Sequence, residues 1–107
     1  KCLDFTYIDD AIQGVCKILE KFDSISGETI NLAYGEGTTI MHLAERVKEL
    51  LGSTSELVMG EPRTGEVTRY IADISKAKKL LGYQPKTPFE EGIQKAVEWY
   101  GKNAWLT

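Results

Sequence analysis

The stretch Arg63-Thr64-Gly65-Glu66-Val67-Thr68-Arg69-Tyr70 gathers a cation, a carboxylate and an aromatic ring. A guanidinium can grip two phosphate oxygens at once, and a carboxylate accepts hydrogen bonds from a pair of sugar hydroxyls. Arg63 and Glu66 stand three residues apart, between Pro62 and a short extended run that holds Tyr70. That set suits a phosphate-bearing ligand with a sugar. Exposed Arg and Glu are also ordinary surface residues, so residue types alone leave both readings open.

Other constellations carry less. Gly35-Glu36-Gly37 follows an extended run and precedes a helix. A dinucleotide-binding loop needs a third glycine and a downstream acid, and this reads instead as a tight turn. His42 lies in the first turn of a helix with no nucleophile paired to it in sequence, and is expected to be solvated. Lys76, Lys78 and Lys79 read as the solvated face and last turn of a short helix. Cys2, Cys16 and His42 have poor spacing for zinc. Cys16 sits among apolar residues of a helix and reads as a buried free thiol.

These residues need elements to hold them. Asp4 to Ile8 alternates and reads as a strand, and Asp9 or Asp10 is expected to cap the helix after it. Ala11, Ile12, Val15, Cys16, Ile18, Leu19 and Phe22 recur at helical spacing and read as its buried face. Thr29 to Tyr34 is a second expected strand. Thr38 or Thr39 should cap a helix with Ile40, Leu43, Ala44, Val47, Leu50 and Leu51 inside, closed by a left-handed Gly52. Glu56 to Met59 and Val67 to Ala72 read as short extended runs. Asp73 should cap a helix over Ile74, Ala77, Leu80 and Leu81 that stops at Gly82. Thr87-Pro88-Phe89-Glu90 has the pattern of a capping box, with Phe89, Ile93, Ala96, Val97 and Tyr100 on the buried side of the helix. The order is strand, helix, strand, helix, two short strands and two helices, which predicts a small mixed α/β unit.

At 107 residues the chain suits one domain, residues 1–107. A net charge of −3 gives no electrostatic reason to expect nucleic acid as a partner. No apolar run is long enough to span a membrane, no signal peptide is visible, and a cytoplasmic setting is expected. The first residue is Lys, so the start reads as a cut inside a longer chain.

Asp4-Phe5-Thr6-Tyr7-Ile8-Asp9-Asp10, Thr29-Ile30-Asn31-Leu32, Arg63-Thr64-Gly65-Glu66-Val67 with Ala72-Asp73-Ile74-Ser75-Lys76-Ala77, Leu81-Gly82-Tyr83-Gln84-Pro85-Lys86-Thr87 and Val97-Glu98-Trp99-Tyr100 follow one another in order. Together they resemble the C-terminal portion of NAD-dependent nucleotide-sugar epimerases and dehydratases, the extended short-chain dehydrogenase/reductase family. The likeness is strongest to UDP-glucose and UDP-glucuronate 4-epimerases. It implies that Arg63 contacts the diphosphate, that Glu66 holds the ribose where the family usually has Asp, and that Tyr70 lines the nucleotide site, with Asp4 and Phe5 as further substrate contacts. It implies a UDP-sugar as the partner, and NAD in the intact enzyme with none expected in this portion. Leu3 stands where the family usually has Arg. None of Tyr7, Tyr34, Tyr70, Tyr83 and Tyr100 has Lys four residues on, so the family's Tyr-x-x-x-Lys catalytic pair is absent and no catalytic residue is assigned. The resemblance therefore implies a substrate-binding fragment of a 4-epimerase, inactive alone and lacking the cofactor-binding Rossmann half. Such a fragment should leave apolar surface exposed or self-associate through it. A 4,6-dehydratase or decarboxylase fragment, or a non-catalytic nucleotide-binding module, are the alternatives.

Overall fold

The computed structural model describes residues 1–103. Helices dominate it: α1 (Ile8–Glu20), α2 (Phe22–Ile25), α3 (Ile40–Leu51), α4 (Ser75–Leu81) and α5 (Phe89–Lys102). Three two-residue strands, β1 (Cys2–Leu3), β2 (Thr38–Thr39) and β3 (Arg69–Tyr70), form one sheet in the order β2-β1-β3. β1 runs antiparallel to β2, pairing Cys2 with Thr39, and parallel to β3, pairing Cys2 with Arg69 and Leu3 with Tyr70. The expected small mixed α/β unit is what forms.

The core is narrow. Ile25, Ala33, Ile74, Ala77, Leu81 and Tyr83 are buried, with Ile18, Ile30, Leu32, Ala72 and Leu80 packed around them. It joins α1 and α4 to the extended segment 28–34. Tyr83 is fully buried and donates its hydroxyl to the Ala33 carbonyl at 2.8 Å. The radius of gyration is 16.7 Å, against about 13 Å for a closed domain of this length.

Helix ends follow local chemistry where a local partner suffices. Thr39 Oγ1 accepts the His42 N–H at 3.1 Å and caps α3. Gly52 and Gly82 end α3 and α4 with φ of 60° and 67°, a conformation that glycine adopts without a steric penalty.

Several expectations fail where partners are remote. The strand expected over Asp4 to Ile8 is displaced to Cys2–Leu3, because pairing with β3 ends at the Asp4 N–H to Tyr70 carbonyl bond (2.9 Å). Asp9 and Asp10 lie inside the first turn of α1, whose N-cap Tyr7 makes no side-chain bond. Asp10 is buried instead and accepts the Lys86 N–H at 2.8 Å and the Thr87 N–H at 3.0 Å, tying α1 to the approach of α5. Thr87 is thereby drawn into the interior, the N-cap passes to Pro88, and the capping box does not form. Asp73 accepts the N–H and hydroxyl of Ser75 at 2.9 and 2.6 Å, one residue short of the assigned N-cap, Ile74. Thr29 to Tyr34 is extended without being a strand. Among the described residues its amides from Thr29 to Ala33 donate to nothing, since no neighbouring strand lies beside them. Glu56 to Met59 is exposed and unpaired, and Val67 to Ala72 contributes only β3.

The face of α1 also differs from expectation. Ile8, Ile12, Val15 and Leu19 are 50–70% exposed, as is Phe22 at the start of α2. The four on α1 share an arc of about 60° at 3.6 residues per turn. Asp10 and Gly14 sit on the opposite side and are the ones buried. A Cβ on Gly14 would come 2.6 Å from Leu32 Cδ2, so the glycine lets the segment approach closely. Cys16 is exposed, not buried. The helix has an apolar stripe, but the body of the molecule packs on its other side. Tyr100, expected inside, is 57% exposed at the far end of α5.

Candidate functional site

Arg63 to Glu66 is a β-turn. The Glu66 N–H donates to the Arg63 carbonyl at 3.2 Å, and Gly65 sits at φ 78°. A positive φ at the third position alone defines a type II turn, which is why glycine stands there. The Glu66 carboxylate then returns to the turn, accepting the Arg63 N–H at 3.3 Å through Oε2. Its other oxygen pairs with Lys1 Nζ. The Lys1 ammonium, followed by the Arg63 N–H, holds the Glu66 carboxyl below the usual range, so it stays ionised. Among the described residues the Arg63 guanidinium forms no ion pair and no side-chain hydrogen bond. The turn thus carries one cation without a partner among the described residues and one ionised carboxylate, three positions apart.

Backbone alternation sorts the neighbouring side chains. Cys2 and Ile71 both lie over Gly37, where a Cβ would come within 2.5 Å of Cys2 Sγ and Ile71 Cδ1. Successive residues of extended backbone point to opposite faces, and residues paired in register share a face, so Lys1, Leu3 and Tyr70 occupy the other side of the sheet. Tyr70 is 67% exposed there. The glycine of the Gly35-Glu36-Gly37 turn is accordingly required by packing. The loop enters β2 rather than a helix, and these residues do not fit a dinucleotide.

Asp4 is committed to the backbone. Its carboxylate accepts the N–H groups of Tyr34 (3.0 Å), Gly35 (2.9 Å) and Ala72 (3.3 Å). It fastens β1 to the turn after segment 28–34 and to the exit from β3. Phe5 lies elsewhere, its ring 5.6 Å from that of Phe89. With Leu43, Phe89, Ile93 and Ala96 it lines an apolar groove of about 140 Å³ between α3 and α5. The structure therefore joins Glu66 to Lys1 on the face that Tyr70 shares, keeps Arg63 in the turn before Glu66, commits Asp4 to the backbone, and sends Phe5 into the groove. A larger, polar hollow of about 460 Å³ lies among Tyr34, Glu36, Lys78, Tyr83 and Pro85 and includes none of these residues.

Two features escaped sequence reasoning. Lys1 meets Glu66 across 65 positions, and the signal available was its i, i+2 relation to Leu3. His42, expected in solvent, is half-exposed but bound. Its Nε2 lies 2.5 Å from Glu90 Oε1, and its ring lies 5.6 Å from Phe89. Arg46 Nε takes the second Glu90 oxygen at 2.6 Å. The His42 bond first, then Arg46, lowers the Glu90 carboxyl below its usual range. This network joins α3 to α5. Among the described residues no group of three or more His, Cys, Asp or Glu could hold a metal ion, and no helix is long and apolar enough to cross a membrane.

Comparison with known proteins identifies the scaffold. The sequence model of the GDP-mannose 4,6 dehydratase family matches residues 2–96. A UDP-glucuronate 4-epimerase of Thermodesulfobacterium geofontis is 36% identical over 104 residues, covering 96% of this chain and 31% of its own length. An epimerase structure from Methanothermobacter thermautotrophicus superposes with a TM-score of 0.89 at 30% identity, covering 96% of this chain and 31% of that one. The UDP-glucuronic acid 4-epimerase of Bacillus cereus, solved with UDP-glucuronic acid and NAD, gives a TM-score of 0.82 at 32% identity, covering 92% and 32%. Relatives also include a UDP-glucuronic acid decarboxylase of Danio rerio, 31% identical over 92% of this chain and 23% of its own length. The chain spans about a third of the length of the curated relatives it matches. A family match across most of the sequence, with the fold to go with it, shows that the chain belongs to the nucleotide-sugar epimerases and dehydratases of the extended short-chain dehydrogenase/reductase type.

Proposed function

We propose that this chain is the C-terminal, nucleotide-sugar-binding portion of a longer NAD-dependent 4-epimerase acting in the cytoplasm on a UDP-sugar. The observation that carries the reading is the type II turn, which ties the ionised Glu66 carboxylate back to the Arg63 N–H and leaves the Arg63 guanidinium unpaired among the described residues. Arg63 is assigned to the diphosphate, Glu66 to the ribose hydroxyls and Tyr70 to the nucleotide, while Asp4 fastens the backbone behind them and Phe5 faces the α3–α5 groove instead. Binding energy gathered on the nucleotide would align the sugar for chemistry elsewhere. NAD, held by the remainder of the polypeptide, would supply the hydride acceptor, and this portion alone would be inactive.

The exposed α1 stripe and the unpaired amides of 29–33 support the domain assignment. Both are surfaces that a larger sheet with flanking helices would cover. The same scaffold serves decarboxylases among the relatives, so a decarboxylase or dehydratase is the second reading. Incubating the full-length protein with UDP-glucose and with UDP-glucuronate separates the readings. Inversion at C4 without release of CO2 is expected. A full-length protein that neither binds NAD nor turns over either sugar would refute the proposal, and CO2 release would favour the second reading.

A further inference from the structure

We propose that Lys1 is a further ligand-contacting residue: its ammonium, paired with Glu66 in the free protein, passes to the diphosphate as the nucleotide-sugar binds and leaves Glu66 to the ribose. The inference rests on the site reading above and adds to it the origin of a second cation and the fate of a carboxylate that is already occupied.

Three observations lead there. Glu66 has both oxygens engaged, one by Lys1 Nζ and one by the Arg63 N–H. Each oxygen keeps a further lone pair, and the Arg63 bond is long, so the Lys1 ammonium is the strong competitor: a ribose diol meets a better acceptor once it leaves. The Arg63 N–H belongs to the turn itself and is fixed, whereas Lys1 is held only through a flexible side chain. Next, the Lys1 backbone is pinned on both sides of β1. Its carbonyl accepts the Ile40 N–H at 2.9 Å, and the following Cys2 N–H donates to the Thr68 carbonyl at 2.8 Å. The ammonium therefore swings from a fixed root beside the turn. Finally, charge is scarce on this face. Leu3, the next residue on the same side of β1, is apolar, and Arg69 is paired in register with Cys2 on the opposite face. Lys1 is the cation that the sheet presents toward Glu66.

A diphosphate carries more negative charge than a single carboxylate and draws the ammonium more strongly. The Lys1–Glu66 pair is partly exposed, with side chains about one-third accessible, so breaking it costs little. Lys1 thus neutralises Glu66 in the empty site and Arg63's ligand in the filled one.

The test is titration of UDP and of uridine into the full-length protein, comparing the parent with Lys1→Met, Lys1→Arg and Arg63→Ala. Lys1→Met should weaken UDP about three- to tenfold. Uridine, which has the ribose but no phosphate, should bind Lys1→Met as well as the parent or more tightly, because Glu66 is then free. Lys1→Arg should restore most of the UDP affinity. Unchanged UDP affinity in Lys1→Met, with Arg63→Ala weakened, would overturn this inference and leave the site reading standing. Equal weakening of UDP and uridine would overturn it too, by showing a structural role. A parent that binds no UDP would overturn both.

Discussion

Removing the Asp4 carboxylate separates a positioning role from a contact role at the candidate site. The carboxylate accepts two N–H bonds at 2.9 and 3.0 Å, from Gly35 and Tyr34, and a longer one at 3.3 Å from Ala72. Hydrogen bonds to a charged group contribute about 1.5–3 kcal/mol each, and the longest lies outside the usual range and counts for little. Asp4→Ala should therefore lose about 3–6 kcal/mol of the 5–15 kcal/mol that holds a typical domain. Asp4→Asn keeps one acceptor oxygen and should lose roughly half as much. Urea unfolding of the full-length protein reads these losses as a lower midpoint at unchanged slope. UDP titration under conditions where Asp4→Asn remains folded should show affinity within about threefold of the parent, a difference below 1 kcal/mol. An Asp4→Asn protein of parental stability that has lost UDP binding would refute the reasoning, because Asp4 would then be a ligand contact rather than a fastener of three backbone segments.

Other expectations concern packing and titration. Burial, then the charges of Asp10 and Asp4, push the Tyr83 phenol up from 10.0 to about 12. The unfolded chain releases this proton first, so stability is intact below pH 10 and drains away as pH rises toward 12, by about 3 kcal/mol. Tyr83→Phe, followed by urea melts at several pH values, should cost about 1 kcal/mol at neutral pH through the lost Ala33 bond and flatten the alkaline decline. An unchanged alkaline decline would contradict this. Gly37→Ala drives a Cβ against Cys2 and Ile71 and should destabilise by about 1–3 kcal/mol. Part should return in the Gly37→Ala/Cys2→Ala double variant, and strict additivity in thermal unfolding would count against the contact. Leu19→Glu, on the exposed stripe of α1, should cost about 1.5–3 kcal/mol in the full-length protein, where the proposed domain assignment has the stripe covered. The same change in the 107-residue chain should stay within about 0.5 kcal/mol. Equal losses in both would mean that nothing further covers α1.

What the sequence makes legible depends on how far apart the cooperating groups lie. Thr39 and the left-handed glycines Gly52 and Gly82 act within a turn of their own helices, and their roles are readable from order alone. The Arg63–Glu66 turn is readable for the same reason, since Gly65 supplies the positive φ that it needs. Asp10 looks like a helix cap because its local context is that of a cap, yet its acceptors are claimed by amides 76 and 77 positions away. Thr87 loses its expected cap to the same contact. Thr29 to Tyr34 has a strand's composition, but a strand is a relation between two chains of backbone and this one lacks a neighbour among the described residues. Periodicity finds the apolar stripe of α1 but cannot say which side the body lies on. Here the small residue Gly14 decides it by letting segment 28–34 approach. Lys1 was silent in the sequence because its meaning depends on the register of β1 against β3.

The account stands most directly on one measurement: the affinity of the full-length protein for UDP before and after Arg63→Ala. Among the described residues that guanidinium has no other partner, and losing its charge-assisted contacts should weaken UDP about 10- to 100-fold. Parent and variant binding UDP equally well would contradict the assignment and leave the Arg63–Glu66 turn an ordinary surface loop.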